Sequence, residues 1–248
     1  MHELKNSTEI EYIRQACRIA GKLLVYLKEI VKPGVDTKLL DQKAEEYILK
    51  RGAVPAFKHY NGFPSSICTS VNEEVIHGIP GKYRLKEGDI LSIDVGVKKA
   101  GYFGDAAVTI PIGQISPENE NLLKITEESL YAGIVKAVHK NHVSDISRTI
   151  QGFVESRGFS IVRDFVGHGV GKKLHEDPPI PNYKTLGRGP QLFSGMTLAI
   201  EPMVNMRGFE VLVKDDNWTV VTKDGKPSAH FEHTILVRDG EPEILTMV

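Results

Sequence analysis

The chain has 248 residues, 41% of them apolar and 25% charged, which is the balance of a soluble globular protein with room for one core or two closely fused halves. A formal net charge of -1 excludes an overall basic field that would hold the protein on nucleic acid or an anionic membrane. The amino-terminal stretch MHELKNSTEIEYIRQ lacks the basic start and apolar run of a signal peptide, and no apolar stretch reaches the roughly 18 residues of a membrane span. A cytoplasmic protein is expected. Cys17 and Cys68 then read as reduced thiols, since neither has zinc-site spacing.

Thr8 and Glu11 have capping-box spacing, and Ile10, Ile13, Cys17, Ala20, Leu24, Leu27 and Val31 keep a helical period as far as Lys32-Pro33-Gly34. A second helix is predicted from Asp36 or Thr37 to Arg51-Gly52, and short strands and turns follow from Ala53 to about Ile112. The order then repeats. Ser116-Pro117 opens a third helix to about Val138, Ser144 opens a fourth that stops at Arg157-Gly158, and strands fill the remainder. A helix pair and strands, twice over, predict an α+β fold of two halves related by a pseudo-two-fold axis. Helices would pack on curved antiparallel sheets, with a site between the halves.

Within the strands, ILSIDVGVKKAGYFGDAAVTI (90 to 110) reads as a β-hairpin turning at Lys98 to Gly101, which sets Asp94 directly across from Asp105. Facing residues have Cβ atoms about 4.5 to 5.5 Å apart, so two ionised acids there need something cationic between them. A shared proton or a lysine partner are the alternatives, although Lys98 and Lys99 belong to the turn. Glu201 in TLAIEPMV and Glu232 in AHFEHTILV repeat the anomaly. Singly, each acid reads as a solvated strand end; four without matching buried bases favour two dications. FVGHGVGKKLHEDPPIPNY (165 to 183) is too rich in glycine and proline for a helix and holds His168 and His175 on a strand end or shaped loop. His168 supplies one nitrogen to an otherwise oxygen-rich set of Asp94, Asp105, His168, Glu201 and Glu232. Such a shell suits iron(II), manganese or cobalt, with zinc possible.

The order of those five residues resembles the dinuclear metal set of the pita-bread metallopeptidases. The Gly-His-Gly stretch with a second histidine seven residues on resembles the signature of type I methionine aminopeptidases, as do VNEEVIHGIP and HFEHTI. The resemblance spans nearly the whole chain and implies one catalytic domain over residues 1 to 248, of the minimal bacterial-like form. It implies that Asp94 chelates one metal, Asp105 and Glu232 bridge, and His168 and Glu201 complete the other. Glu201 would also handle the proton of the attacking water, His175 would donate to the carbonyl oxygen, and His77 would contact the departing peptide nitrogen. Phe57, Tyr60, Phe63, Cys68, Leu174 and Trp218, with His77 and His175, would bind the substrate and accept its methionine side chain. Many relatives carry an aromatic residue at the position of Leu174 and a smaller one at Phe57, so bulk is exchanged across the pocket.

The implied activity is removal of the initiator methionine from nascent chains, with a small second residue preferred. The protein would act as a monomer, without membrane or specific nucleic-acid partners. A contact near the ribosome exit would have Lys172-Lys173 and the segment from Lys184 to Arg188 as its basic candidates. The competing readings are an X-Pro aminopeptidase or dipeptidase, and a non-catalytic pita-bread module that binds nascent chains, RNA or protein.

Overall fold

The computed structural model describes residues 4 to 248; the first three residues of the stretch read for a leader lie outside them. Helix α1 (Ser7–Ile30) turns Ile13, Ala16, Cys17, Ala20, Leu23 and Leu27 inward. Its cap is Asn6, not Thr8. The Asn6 side chain accepts from the Thr8 and Glu9 amides, and Glu9 Oε2 accepts from the Asn6 amide at 3.0 Å. The same box spacing thus begins two residues earlier than predicted, while Glu11 is taken by Arg14. Asp36 caps α2 (Thr37–Leu49) as expected.

The first half then supplies strands β1 (Val54–Pro55), β2 (Cys68–Val71), β3 (Glu74–Ile76), β4 (Ile90–Lys99) and β5 (Tyr102–Pro111). Helix α3 (Pro117–Ile134) stops short of Val138, and α4 (Val143–Glu155) is capped by His142 rather than opened by Ser144. Here Asp145 accepts from the His142 amide at 2.8 Å. The second half continues with β6 (Ser160–Ile161), β7 (Gly167–Gly169), β8 (Glu176–Ile180), β9 (Thr197–Ile200) and β10 (Met203–Asn205). It closes with β11 (Val211–Val213), β12 (Val220–Thr222), β13 (Ser228–His230), β14 (Glu232–Leu236) and β15 (Glu243–Ile244).

One nine-stranded sheet runs β1-β4-β5-β14-β9-β7-β8, with β2 also on β4 and β15 on β14. From one direction it reads β2-β4-β5, and from the other β7-β9-β14, all antiparallel. The two series meet at β5 and β14, which is the predicted two-fold arrangement. Helices cover one face. Leu91, Ile93, Val95, Ala106 and Ile110 pack with α1 and α2, whereas Leu198, Ile200 and Ile235 pack with α3 and α4. Because side chains alternate along a strand, the intervening residues Asp94, Asp105, Ala107, Ala199 and Glu232 go to the other face.

The hairpin register differs from the sequence expectation. Asp94 faces Ala107 and Asp105 faces Gly96, because the turn is the two-residue Ala100-Gly101 rather than one centred earlier. Both turn residues have positive φ, 50° and 86°, as the favoured hairpin turn requires. A shift of two residues preserves the face, so the two aspartates become diagonal neighbours rather than a facing pair. Alanine is strained at such a φ, by roughly 1 to 2 kcal/mol. Ala100→Asn, which tolerates this conformation, is therefore expected to raise the Tm by about 1 to 3 °C in a thermal melt. An unchanged or lower Tm would contradict the strain at this turn.

Candidate metal centre and substrate pocket

Ala107 of β5 stands between Asp94 of β4 and Glu232 of β14 in register, and its small side chain leaves the space between them open. Asp105 lies two residues along β5 on the same face, held by a reciprocal bond in which its amide and carbonyl engage Thr234 Oγ1 at 3.1 and 2.7 Å. Glu201 directly follows β9, and Asn182 donates to its carbonyl at 3.0 Å. His168 sits opposite Ala199 on β7. Neighbouring strands of both halves thus bring all five predicted metal-ligating residues to one place. Asp105, His168 and Glu232 have ligand atoms within 4.8 Å of one another.

Among the described residues, no lysine or arginine pairs with any of the four acids. Burial raises all four: Asp105 to about 7, and Asp94, Glu201 and Glu232 well above the ordinary range, with mutual repulsion adding to the last three. Asp94 Oδ1, Asp105 Oδ1 and Glu232 Oε1 are buried without a hydrogen-bond partner. His168 Nε2 lies 3.5 Å from Glu201 Oε1 and 3.9 Å from Asp105 Oδ2, yet burial pushes this imidazole down to about 3, so these are not ion pairs at neutral pH. Its Nδ1 is 2.9 Å from the Gly169 carbonyl and must carry the hydrogen there, which turns the Nε2 lone pair toward the acids. When the acids are ionised, lone pair faces lone pair, a repulsive arrangement that a divalent cation relieves. The donor set fits such an ion.

Around this cluster opens a cavity of about 870 Å³, and all thirteen site residues predicted from the sequence line it. Its apolar side joins Phe57, Phe63, Cys68 and Leu174 with Tyr60 and Trp218 in a cluster distinct from the two helix-backed cores. The Trp218 ring meets Phe63 edge-on with centroids 5.2 Å apart. Phe57 packs on Gly96, where a Cβ would come within 2.4 Å of the Phe57 ring, so the glycine makes room for the larger residue. Cys68 faces Asp94 across β2 and β4, and burial, then that acid, hold its thiol well above its ordinary value. Both cysteines are free.

His77 follows β3 with a φ of 57°. Gly78 lets the chain lie on β2: a Cβ there would fall 2.2 Å from the Thr69 carbonyl oxygen, and the Gly78 carbonyl accepts from the Thr69 amide at 2.8 Å. The His77 ring is T-shaped to Phe165, and burial lowers its pKa to about 4, with His175 second. His175 comes from the loop between β7 and β8, its ring 4.3 Å from that of His168.

Sequence reasoning assigned no role to His230, which is 2% exposed with its Nε2 3.6 Å from Glu201 Oε2. Its alternation with Glu232 was the available signal, but the break at Phe231 between β13 and β14 hides which face it takes. Phe165 was likewise quoted without a role, and it braces His77.

Residues 11 to 239 match the model of metallopeptidase family M24, and the chain belongs to that family. It is 56% identical over 245 residues to the methionine aminopeptidase of Clostridium perfringens, covering 99% of this chain and 98% of that one. A crystal structure of methionine aminopeptidase from Thermotoga maritima superposes with a TM-score of 0.98 at 45% identity, with both chains fully covered. The fold alone is shared with prolidase from Pyrococcus furiosus, at 23% identity and a TM-score of 0.82; 99% of this chain matches 65% of that one.

Protons and metal compete for the same oxygens, so metal affinity should rise with pH. Asp105, held near 7, is protonated at pH 6 and ionised at pH 8. Titrating manganese calorimetrically in buffers of different ionisation enthalpy should count more protons released at pH 6 than at pH 8. Equal release would mean that Asp105 is not displaced from its proton by the ion. Asp105→Ala removes a buried unpaired acid; it should weaken metal binding and abolish most activity, while the metal-free Tm stays level or rises. Retained metal stoichiometry in that variant would remove Asp105 from the ligand set.

Proposed function

We infer that the protein is a metal-dependent hydrolase that removes the N-terminal methionine from polypeptides. The observation that carries this reading is the junction, in one cavity, of an acid cluster with an aromatic and sulfur-containing pocket whose chemistry suits a thioether side chain. The chain acts as one catalytic unit with two divalent ions, iron(II), manganese or cobalt being favoured by the mostly carboxylate ligands and zinc accommodated. Asp94 would serve one ion, His168 and Glu201 the other, and Asp105 and Glu232 would serve both. When bound, such ions polarise the scissile carbonyl and make a water acidic enough to attack at neutral pH.

The side chains do the rest. Glu201 receives the proton of the attacking water and returns it to the leaving amine. His175 donates to the carbonyl oxygen as it gains charge. His77, braced by Phe165, contacts the departing nitrogen. The apolar cluster takes the methionine side chain, while the second residue lies against the acids and the His77 turn, and small residues such as Gly, Ala, Ser or Pro are favoured there.

The X-Pro reading has only a shared fold behind it, and a non-catalytic module would not need four acids, two of them fully buried, and a histidine converging on one cavity. No helix among the described residues is long and apolar enough to cross a membrane. A cytoplasmic monomer that meets nascent chains near the ribosome exit completes the proposal. Of the basic candidates, Lys172 is engaged by Glu9 at 2.8 Å, which leaves Lys173 and Lys184 to Arg188 as the better contacts.

Metal-loaded protein on Met-X-Gly peptides should give kcat/KM values for Met-Ala and Met-Gly that exceed Met-Lys by at least about 10-fold, within the range of one misfitting group. Formylated or acetylated methionine should not react, because its nitrogen has lost its basic lone pair. Equal turnover of Met-Ala and Met-Lys, or faster release of Ile than Met, would sink the specificity assigned here.

A further inference from the structure

Tyr60 serves the pocket as an aromatic wall, but its hydroxyl makes a contact that a wall does not need: it lies 2.8 Å from His175 Nδ1. The two rings sit 5.3 Å apart, tilted by 53°. The backbone around Tyr60 is shaped to aim it. His59 and Asn61, on either side, hold φ of 68° and 48°, a region that residues other than glycine seldom adopt. The turn is closed by the Tyr60 amide on the Phe57 carbonyl and the Phe63 amide on the Tyr60 carbonyl, both at 2.9 Å.

We propose that Tyr60 is a positioning residue that fixes the tautomer of His175: its phenol donates to Nδ1, so that the ring hydrogen resides on Nε2, the nitrogen left for the substrate carbonyl. The inference rests on the reading of His175 as donor to that carbonyl. A neutral imidazole has one N–H, and which nitrogen bears it is set by the partner of the other. The phenol has one hydrogen and, among the described residues, no acceptor for it besides His175. With the opposite tautomer, Nε2 would present a lone pair to the carbonyl oxygen and repel it. Phenylalanine would fill the same apolar space and leave both tautomers open.

The test uses the full chain labelled with ¹⁵N-histidine and freed of metal, with the His175 ring signals assigned by their loss in His175→Ala. Long-range ¹H–¹⁵N correlation should show the Nε2–H tautomer alone in the wild type and a mixture in Tyr60→Phe. In manganese-loaded enzyme, Tyr60→Phe should lower kcat on a Met-Ala peptide by about 10-fold while KM changes less than about 2-fold, the pattern of a lost support for a reacting group. An Nδ1–H tautomer in the wild type, or a tautomer unaltered in Tyr60→Phe, would overturn the proposal. His175→Ala separates the two layers. If it costs about 10²-fold in kcat, as a lost oxyanion donor does, while the tautomer ignores Tyr60, the proposal alone falls. If His175→Ala keeps full kcat, the reading beneath it falls, and the proposal with it.

Discussion

Two buried carboxylates, Asp105 and Glu232, and two partly buried ones, Asp94 and Glu201, share one sheet face with no lysine or arginine among the described residues to balance them, and the rest of the structure is arranged around that imbalance. Isolated buried charges are too costly to persist, so the acids hold protons or share a cation. The strands keep their other face largely apolar, covered by the two helix pairs, with His233 of β14 bonded to Tyr131 of α3 as an exception. Stability is thereby concentrated behind the sheet, where nothing reactive is needed. The strained electrostatics are left on the face that meets the ligand.

The two-fold arrangement sets the geometry of that face. Middle strands β4 and β9 carry or lead into Asp94 and Glu201, and the inner strands β5 and β14 carry Asp105 and Glu232. The paired inner strands place one acid of each half at the seam, which neither half could achieve alone. Symmetry stops at the cavity walls. The first half contributes Phe57, Tyr60 and Phe63, whereas the second contributes the imidazoles of His168 and His175 and the cover of Leu174 and Trp218. The aromatic wall is thus weighted to the first half and the imidazoles to the second, while Asp94, Asp105 and His77 of the first half and Leu174 and Trp218 of the second mix the two.

Much of this was legible in the chain itself. Glycine and proline punctuation marked the helix pairs and their repetition, because backbone preference is local. The acids stood out because each interrupted an apolar strand pattern, and alternation put Asp94 and Asp105 on one face even though the turn was misplaced by residues of even count. Helix boundaries were less legible: Asn6 and Thr8 both offer a side-chain oxygen three residues before a glutamate, and only the competing partners of Glu9 and Glu11 decide between them.

The sequence by itself therefore determined the α+β class, the duplicated order and, through resemblance, the family, and it picked out the acids and the histidine that converge on one cavity. All of these depend on residue type and spacing along the chain. Tertiary structure alone decided the diagonal rather than facing placement of Asp94 and Asp105, the burial of His230 behind Glu201, and the bond from Tyr60 to His175 across 115 positions. Those outcomes depend on turn conformation and on which faces of distant strands and loops meet, and no local pattern encodes the distance between two segments that first touch when the halves close.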